Sequence, residues 1–397
     1  MDRRSFIGAG LAAGAAALGA GSHDVAAASP GVRAYRRLGR TGIEMSDISF
    51  GSSSSADPAL VRHALDRGVN YFDSAESYRW GSAEEAIGQA LVGVRDRVHL
   101  TSKTKAGAHD GWRDIMAALE GSLRRLRTDY VDVYFNHAVN DLERIRNPEW
   151  GEFTERAKAA GKIRWSGMSG HGSRLVECLD HALDHDLVDV ILVAYNFGLD
   201  PDFYDRLRHT FHYVAIQPEL PRVIEKARAR DVGVIAMKTL MGGRLNDLRP
   251  YERGGATYAQ AALRWVLASA RVHGALISMT STDGIDEYLG ASGATITRAD
   301  DLRLLDTYLA INGANQCRQG CATCAASCPI DVPIAEVLRT RMYAVDYGDS
   351  RLGREDYAKL GAPAAGCLGC ETTPCASACP HGVPIARFAR EAARLLG

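Results

Sequence analysis

Between residue 34 and about residue 310, short apolar runs alternate with longer stretches in which apolar side chains recur every three or four positions. The short runs predict strands and the longer stretches predict amphipathic helices. The predicted strands are 48–50, 69–73, 98–102, 130–135, 163–169, 190–194, 232–237 and 275–279. Helical periodicity is clearest at 115–126, 175–183 and 259–269.

Eight strands, each followed by a helix within about 275 residues, are typical of a (β/α)8 TIM barrel. A doubly wound open sheet is the alternative, but no Gly-x-Gly-x-x-Gly run opens a helix after an early strand, so the dinucleotide fingerprint of that fold is missing. From about residue 312, cysteine and glycine become frequent around one amphipathic stretch at 334–341. We therefore predict an α/β chain with a barrel at 34–310 and a small C-terminal domain at 312–397.

The composition is that of an ordinary globular protein. Hydrophobic residues make up 46% of the 397 residues, charged residues make up 24%, and the formal net charge is −1. This balance gives no reason to expect nucleic-acid or membrane-surface binding. After the N-terminus, no apolar stretch approaches the length of a membrane span.

The N-terminal segment has the features of a targeting signal. Arg3 and Arg4 stand just before Phe6, a Gly/Ala-rich stretch follows, and small residues at 26–28 suit a cleavage site. We predict a twin-arginine signal peptide over 1–29, with an ordinary secretory signal or an unstructured tail as the alternatives. The twin-arginine export machinery is then a partner, and the mature protein is expected to be periplasmic or extracellular.

Eight of the nine cysteines fall in two short runs, each of which ends in Cys-Pro. The runs consist of Cys317, Cys321, Cys324 and Cys328, and of Cys367, Cys370, Cys375 and Cys379. Thiolates packed this densely bind metal, and the closing Cys-Pro resembles the bacterial ferredoxin motif. Structural zinc is an alternative, but it favours paired Cys-x-x-Cys units. Disulfides suit an exported protein, but such tight spacing strains most pairings within a run.

The ferredoxin resemblance implies two [4Fe–4S] clusters in a ferredoxin-like domain. In two-cluster ferredoxins the fourth cysteine of each run ligates the other cluster. The implied ligand sets are Cys317, Cys321, Cys324 with Cys379, and Cys367, Cys370, Cys375 with Cys328. Metal binding would also stabilise a domain that is too small to bury a large core. The ninth cysteine, Cys178, lies in a helical pattern and is predicted to be a buried apolar residue.

A set of motifs in the predicted barrel resembles the aldo-keto reductases. The matching segments are YRRLGRTG at 35–42, NYFDSAESY at 70–78, TSK at 101–103, DYVD at 129–132, NH at 136–137 and GKIR at 161–164. The resemblance covers residues 35 to about 290. It implies an oxidoreductase that interconverts a carbonyl and an alcohol on a small organic substrate.

The same resemblance implies a catalytic tetrad of Asp73, Tyr78, Lys103 and His137. Tyr78 would donate a proton to the carbonyl oxygen, and because a phenol is a weak acid at pH 7, its anion needs a nearby positive charge. Lys103 would supply that charge, Asp73 would keep it in place, and His137 would orient the substrate oxygen. Taken singly, each residue has a structural alternative: a helix cap, a core or surface tyrosine, a solvated lysine or a structural histidine.

The family also implies NADP(H). The positions that the resemblance assigns to cofactor contact are Ser169, Tyr195, Asn196, Leu240 and Gly243. Several neighbouring positions depart from the family pattern.

Gly170 stands where the family usually has Asn, Leu192 where it has Gln, and Met237 where it has an aromatic residue. The loop at 278–283 has no basic residue for a 2′-phosphate. These departures favour weakened or lost nucleotide binding, with electrons supplied by the clusters and exchanged with a redox partner protein. The alternative is ordinary drift in a chain that still binds a nicotinamide. A different class of function, an electron-transfer or binding module with the barrel as a docking scaffold, also remains open.

Overall fold

The computed structural model describes residues 30–172, 174–198, 219–241, 248–312, 317, 321, 323–345 and 350–397. The predicted signal peptide at 1–29 therefore lies outside the described residues. Within the described ranges, no helix is both long enough and apolar enough to cross a membrane.

The chain enters the fold through a short hairpin. Strand β1 (Tyr35–Arg37) pairs antiparallel with β2 (Glu44–Ser46). The turn between them buries Leu38, which packs with interior barrel residues in one apolar cluster. Gly39 has φ +50°, and a Cβ there would stand 2.4 Å from the backbone nitrogen of Gly233, so only glycine allows this approach. The hairpin thus closes one end of the barrel.

Eight further strands, all parallel, close into a barrel in chain order. They are β3 (Ile48–Gly51), β4 (Tyr71–Asp73), β5 (His99–Thr104), β6 (Val131–Asn136), β7 (Ile163–Gly170), β8 (Val190–Ala194), β9 (Gly233–Met237) and β10 (Gly274–Ser278). Each overlaps one of the predicted strands. They are short and almost wholly buried, as expected for parallel strands covered by helices on the outside. The predicted (β/α)8 barrel is confirmed.

Helices cover the outside of the barrel. They are α1 (Pro58–Asp66), α2 (Ser82–Ala90), α3 (Trp112–Leu126), α4 (Leu142–Arg146), α5 (Pro148–Ala159), α6 (Leu175–Asp184), α7 (Leu220–Ala229), α8 (Tyr258–Ala268), α9 (Thr282–Leu289) and α10 (Ala299–Asn312). Helix α1 begins with Pro at its first position, and the Asp57 carboxylate accepts from the Ala59 amide at 2.8 Å. Asn147 and Pro148 begin α5 in the same way. These pairings explain where the helices start, because a cap satisfies an amide that the helix leaves unbonded.

A second, smaller apolar core lies beyond the barrel. It is built from α11 (Ile334–Val345), α12 (Ser350–Ala358), α13 (Ala362–Ala365), α14 (Pro374–Ala378) and α15 (Ile385–Leu396). The helix predicted at 334–341 lies within α11. Val337, Tyr357 and Phe388 are among the residues buried in this core.

The C-terminal helices lie against the open end of the barrel. Tyr343 of α11 is hydrogen-bonded to the ring of His171, which follows β7. Glu355 of α12 accepts from the Lys105 ammonium at 2.9 Å. These contacts place residues of α11 and α12 over the ends of the strands.

Candidate active site

The tetrad positions lie where strands of the barrel end. Asp73 is the last residue of β4, Lys103 is the penultimate residue of β5, and His137 directly follows β6. Tyr78 begins the turn between β4 and α2. Since the carboxyl ends of parallel barrel strands meet at one face, residues far apart in sequence converge there.

Lys103 and Asp73 form an ion pair that is sealed from solvent. The Lys103 Nζ is 2.5 Å from Asp73 Oδ1, and the two side chains are 0% and 2% exposed. Lys103 also donates to the Ser74 carbonyl at 2.6 Å, and Thr101 donates to the other Asp73 oxygen at 2.7 Å. Burial lowers the pKa of Lys103, and the Asp73 carboxylate opposes that shift. The carboxylate therefore favours the charged form of Lys103 against the effect of burial.

Tyr78 lies beside both Lys103 and His137. The Lys103 ammonium is 5.0 Å from the centroid of the Tyr78 ring. The His137 ring meets the Tyr78 ring edge-on, with centroids 5.5 Å apart. A cation at this distance stabilises negative charge on the phenol, so the pair can release and recover a proton.

His137 is held as a neutral imidazole. Burial lowers its pKa well below the usual range, and the nearby charges of Lys103, Lys105, Arg144 and Lys238 lower it further. Among the described residues, its Nδ1 has no hydrogen-bond partner. A neutral imidazole can donate or accept a hydrogen bond without adding charge, which suits a role in orienting a substrate oxygen.

Arg144 of α4 fixes the backbone around His137. Its guanidinium donates to the carbonyls of Ala106, Ala138 and His137 at 2.8, 3.1 and 2.9 Å, and to the side-chain oxygen of Asn136 at 2.7 Å. Ala138 has φ +52°, a conformation that non-glycine residues rarely adopt. Sequence reasoning missed Arg144, because an arginine on a short helix is usually a solvated surface residue.

The four tetrad residues line a single cavity of ≈570 Å³ at the open end of the barrel. The barrel contributes Ser169, Leu192, Met237 and Leu240 to its wall. The C-terminal helices line it as well, with Tyr343, Ser350, Arg351, Leu352, Arg354 and Glu355. The volume lies within the range of small-molecule and cofactor pockets.

Only some of the residues predicted to contact a nucleotide line the cavity in the described part of the chain. Ser169 and Leu240 line the cavity. Tyr195 is fully buried against Trp265, and Asn196 braces the chain by donating to the Lys238 carbonyl at 3.0 Å. Neither Tyr195 nor Asn196 lines the cavity.

The fifth predicted contact, Gly243, lies outside the described residues.

Sequence reasoning also missed the contact between His171, which follows β7, and Tyr343 of α11. The Tyr343 hydroxyl is bonded to His171 and accepts from Arg339 at 2.8 Å, and Lys238 lies 4.9 Å from the centroid of its ring. Burial raises the pKa of Tyr343 to about 12, so it remains a neutral phenol. His171 could have been noticed from its position two residues after Ser169. Nothing local in the sequence points to Tyr343, which is 172 positions away from its partner.

All nine cysteines lie in the described part of the chain, and no disulfide joins any two of them. A small cavity of ≈30 Å³ is lined by Cys328, Cys367, Cys370 and Cys375. Cys178 is 0% exposed and packs in the barrel core, and burial raises the pKa of its thiol to about 11. The prediction that Cys178 is a buried apolar residue is confirmed.

Residues 48–254, just over half of the chain, match the family described as "Aldo/keto reductase family". The L-glyceraldehyde 3-phosphate reductase of Escherichia coli O157:H7 is 25% identical over 326 residues, which cover 70% of this chain and 92% of that protein. An aldo-keto reductase from Klebsiella pneumoniae, solved in complex with NADPH, is 27% identical with a TM-score of 0.54. The matched region covers 70% of this chain and 95% of the Klebsiella pneumoniae chain.

An aldo/keto reductase structure from the same organism contains NADP and acetate. It has the same identity and coverage, and its TM-score is 0.53.

The cofactor prediction made from the sequence is wrong. In the part of the chain that the structure describes, no group of three or more His, Cys, Asp or Glu side chains could hold a metal ion, which contradicts the two predicted [4Fe–4S] clusters. Solved relatives of the barrel carry NADPH or NADP, which contradicts the expectation that nucleotide binding is weakened or lost. Cysteine spacing indicates which chemistry a run could support, but not whether the folded chain brings the thiolates into a ligand cage.

Proposed function

The chain belongs to the aldo/keto reductase family, and we propose that it interconverts a carbonyl and an alcohol on a small organic substrate with NADP(H) as hydride partner. It is an oxidoreductase of carbonyl and alcohol groups. The observation that carries the proposal is the solvent-sealed pair of Lys103 and Asp73 beside Tyr78 in a cavity large enough for a small molecule.

Each of these residues has a defined task in the reduction. Tyr78 donates its hydroxyl proton to the carbonyl oxygen as that oxygen gains negative charge. Lys103 stabilises the phenolate that remains, because its ammonium lies beside the ring. Asp73 and the Ser74 carbonyl keep Lys103 charged and oriented. In the oxidation of an alcohol, the phenolate takes the proton back.

His137 positions the substrate without taking part in proton transfer. Its pKa is held well below the usual range, so at neutral pH it forms hydrogen bonds as an uncharged ring. Arg144 holds the backbone of Asn136, His137 and Ala138, and this fixes where the imidazole lies. Placing the reacting oxygen within reach of Tyr78 contributes to rate through orientation.

The described cavity wall fits the nicotinamide end of NADP(H). Leu192, Met237 and Leu240 give a flat apolar ring system a surface to lie against. The Ser169 oxygen accepts from the Ala138 amide at 3.0 Å, and its hydroxyl proton can be donated to a polar substituent. When bound, the cofactor supplies a hydride to the carbonyl carbon or accepts one from the alcohol carbon. With the hydride from the cofactor and the proton from Tyr78, the reaction balances without a further reductant.

Replacing Tyr78 by Phe tests the proposal. Purified full-length protein is mixed with NADPH and a panel of small aldehydes and ketones, and loss of NADPH absorbance is followed. We expect turnover by the wild type and a fall in kcat/KM of about 10²–10⁴-fold in Tyr78→Phe, the usual contribution of a general acid. Tyr251→Phe, at an exposed tyrosine that does not line the cavity, is the matched control and should leave the rate unchanged. Equal rates for the wild type and Tyr78→Phe would contradict the assignment.

We also propose that residues 1–29 direct export by the twin-arginine pathway, on the basis of Arg3 and Arg4 followed by a Gly/Ala-rich stretch. Cell fractionation of a bacterial host should locate the wild type in the periplasm and an Arg3→Lys/Arg4→Lys variant in the cytoplasm. If both were found in the same compartment, this part of the proposal would be wrong. The redox partner protein was expected because of the two predicted clusters. Without those clusters, there is no remaining reason to expect such a partner.

A further inference from the structure

Part of the cavity wall does not come from the barrel. Helix α12 contributes Arg351 and Arg354 to it. Arg351 donates to the Ser77 carbonyl at 3.4 Å, and its guanidinium is 5.9 Å from the ring of Trp80. Ser77 and Trp80 flank Tyr78 in the same turn, so this part of α12 lies on the Tyr78 side of the cavity.

The cavity wall carries a strong excess of positive charge. Six cationic side chains of the described residues line it: Arg79, Lys103, Lys105, Lys238, Arg351 and Arg354. In the same described part of the chain, only two carboxylates line it, and both are already paired. Asp73 binds Lys103, while Glu355 accepts from Lys105 at 2.9 Å and from Arg351 at 2.5 Å.

Within the described ranges, two of these cations, Arg79 and Arg354, have no Asp or Glu oxygen within ion-pair distance. Both side chains are exposed and line the cavity, so each can meet a bound molecule. The histidines at the same end of the barrel respond to a positive field: after burial, the charges that lower the pKa of His137 and His171 include Lys105 and Lys238.

We propose that the substrate carries an anionic group, a carboxylate or a phosphate, and that Arg354, assisted by Arg351, binds that group while Tyr78 protonates the carbonyl. This inference rests on the proposed function and narrows its substrate class. A guanidinium presents several N–H donors in a plane and pairs with carboxylate or phosphate through two parallel hydrogen bonds. The rival explanation is that these arginines bind the phosphates of the cofactor.

Matched substrate pairs separate the two explanations. The full-length protein is assayed with NADPH on succinic semialdehyde against butanal, and on glyceraldehyde 3-phosphate against glyceraldehyde. We expect at least one anionic member to have a kcat/KM roughly tenfold or more above its neutral partner, the effect of one charge-assisted contact. Whichever pair shows the larger ratio identifies the preferred anion.

The variant Arg354→Gln should reduce that ratio by about tenfold, through a higher KM for the anionic substrate. The neutral substrates and the KM for NADPH should be unchanged. Lys359→Gln is the matched control, because Lys359 follows the same helix and pairs with Asp356 but does not line the cavity. It should behave as the wild type does.

A binding measurement keeps the inference testable if no carbonyl is turned over. Calorimetric titration with succinate and with inorganic phosphate should show saturable binding of one of them to the wild type and weaker binding to Arg354→Gln. Equal turnover of neutral and anionic substrates would overturn the inference and leave the proposed function intact. A raised KM for NADPH in Arg354→Gln would also overturn the inference, because it would mean that this arginine binds the cofactor. Absence of NADPH-dependent turnover on every substrate would instead defeat the proposed function, and the titration would still decide whether α12 binds an anion.

Discussion

Replacing Asp73 by Asn removes one charge of the buried ion pair while preserving the shape of the side chain. Lys103 and Asp73 are 0% and 2% exposed and are joined at 2.5 Å. Deleting one partner of a buried pair leaves an uncompensated charge and typically costs about 3–5 kcal/mol. Asn can still accept from Thr101, so we expect a loss near the lower end, about 3 kcal/mol in the free energy of unfolding. Urea unfolding followed by circular dichroism measures it.

The same substitution should change the pH dependence of the reaction. Burial already lowers the pKa of Lys103, and the Asp73 carboxylate is the group that opposes this shift. Without it the pKa falls further, and less of the ammonium is charged at neutral pH. We expect kcat/KM of Asp73→Asn to fall at pH 7 and to recover in part as the pH is lowered, because acid restores the charge on Lys103.

A second buried ion pair provides the control. Arg264 donates to both oxygens of Asp301, at 2.9 and 2.6 Å, in a part of the fold away from the cavity. Asp301→Asn should lose a comparable amount of stability and keep its kcat/KM. The double variant Asp73→Asn/Lys103→Met removes the orphan charge and should be more stable than Asp73→Asn alone. If it were less stable by the full cost of a second independent substitution, the buried-charge argument would be refuted.

Two further predictions concern the surroundings of Tyr78. Because the pKa of His137 is well below its ordinary value, kcat/KM should stay level as the pH falls through 6.5, and a pH–rate profile with an acidic limb centred there would contradict a neutral imidazole. In the unfolded chain His137 takes up a proton near pH 6.5, whereas in the folded chain it stays neutral at that pH. The stability contributed by this group is therefore fully present above pH 6.5 and declines below it. In urea unfolding, His137→Gln should make the free energy of unfolding depend less on pH in this range. Arg144→Lys keeps the charge but cannot make four contacts, so we expect a loss of about 1–2 kcal/mol in urea unfolding together with a lower kcat. Arg146→Lys, which affects only an exposed pair with Glu143, should change neither.

The barrel could be predicted because its strands are short, apolar and regularly spaced. The run at 163–169 became Ile163–Gly170, and the run at 190–194 became Val190–Ala194. Burial on both faces of a parallel strand demands a continuous apolar sequence, and such a sequence is visible without knowledge of the partners. The positions of the tetrad followed, because strand ends on one face of a barrel converge whatever the details of packing.

The rest of the site depends on contacts that no local pattern records. Tyr343 and Arg351 reach the cavity only because α11 and α12 pack across the barrel end, 172 and 274 positions from the residues they contact. The cysteine runs illustrate the opposite error, in which a local pattern predicts a site that the described residues do not form. Their spacing indicates an affinity for metal, and the inference of two clusters assumed a three-dimensional arrangement that spacing alone does not determine.

Because α12 completes the wall of the cavity, the barrel is synthesised before the last part of its pocket. A ribosome has added every barrel strand, and with them Asp73, Lys103 and His137, before it reaches Arg351 and Arg354. A nascent chain that ends at Asn312 would therefore hold Tyr78 in a cavity that still lacks the α12 side of its wall. Selection among substrates would begin only when the later helices pack against the barrel.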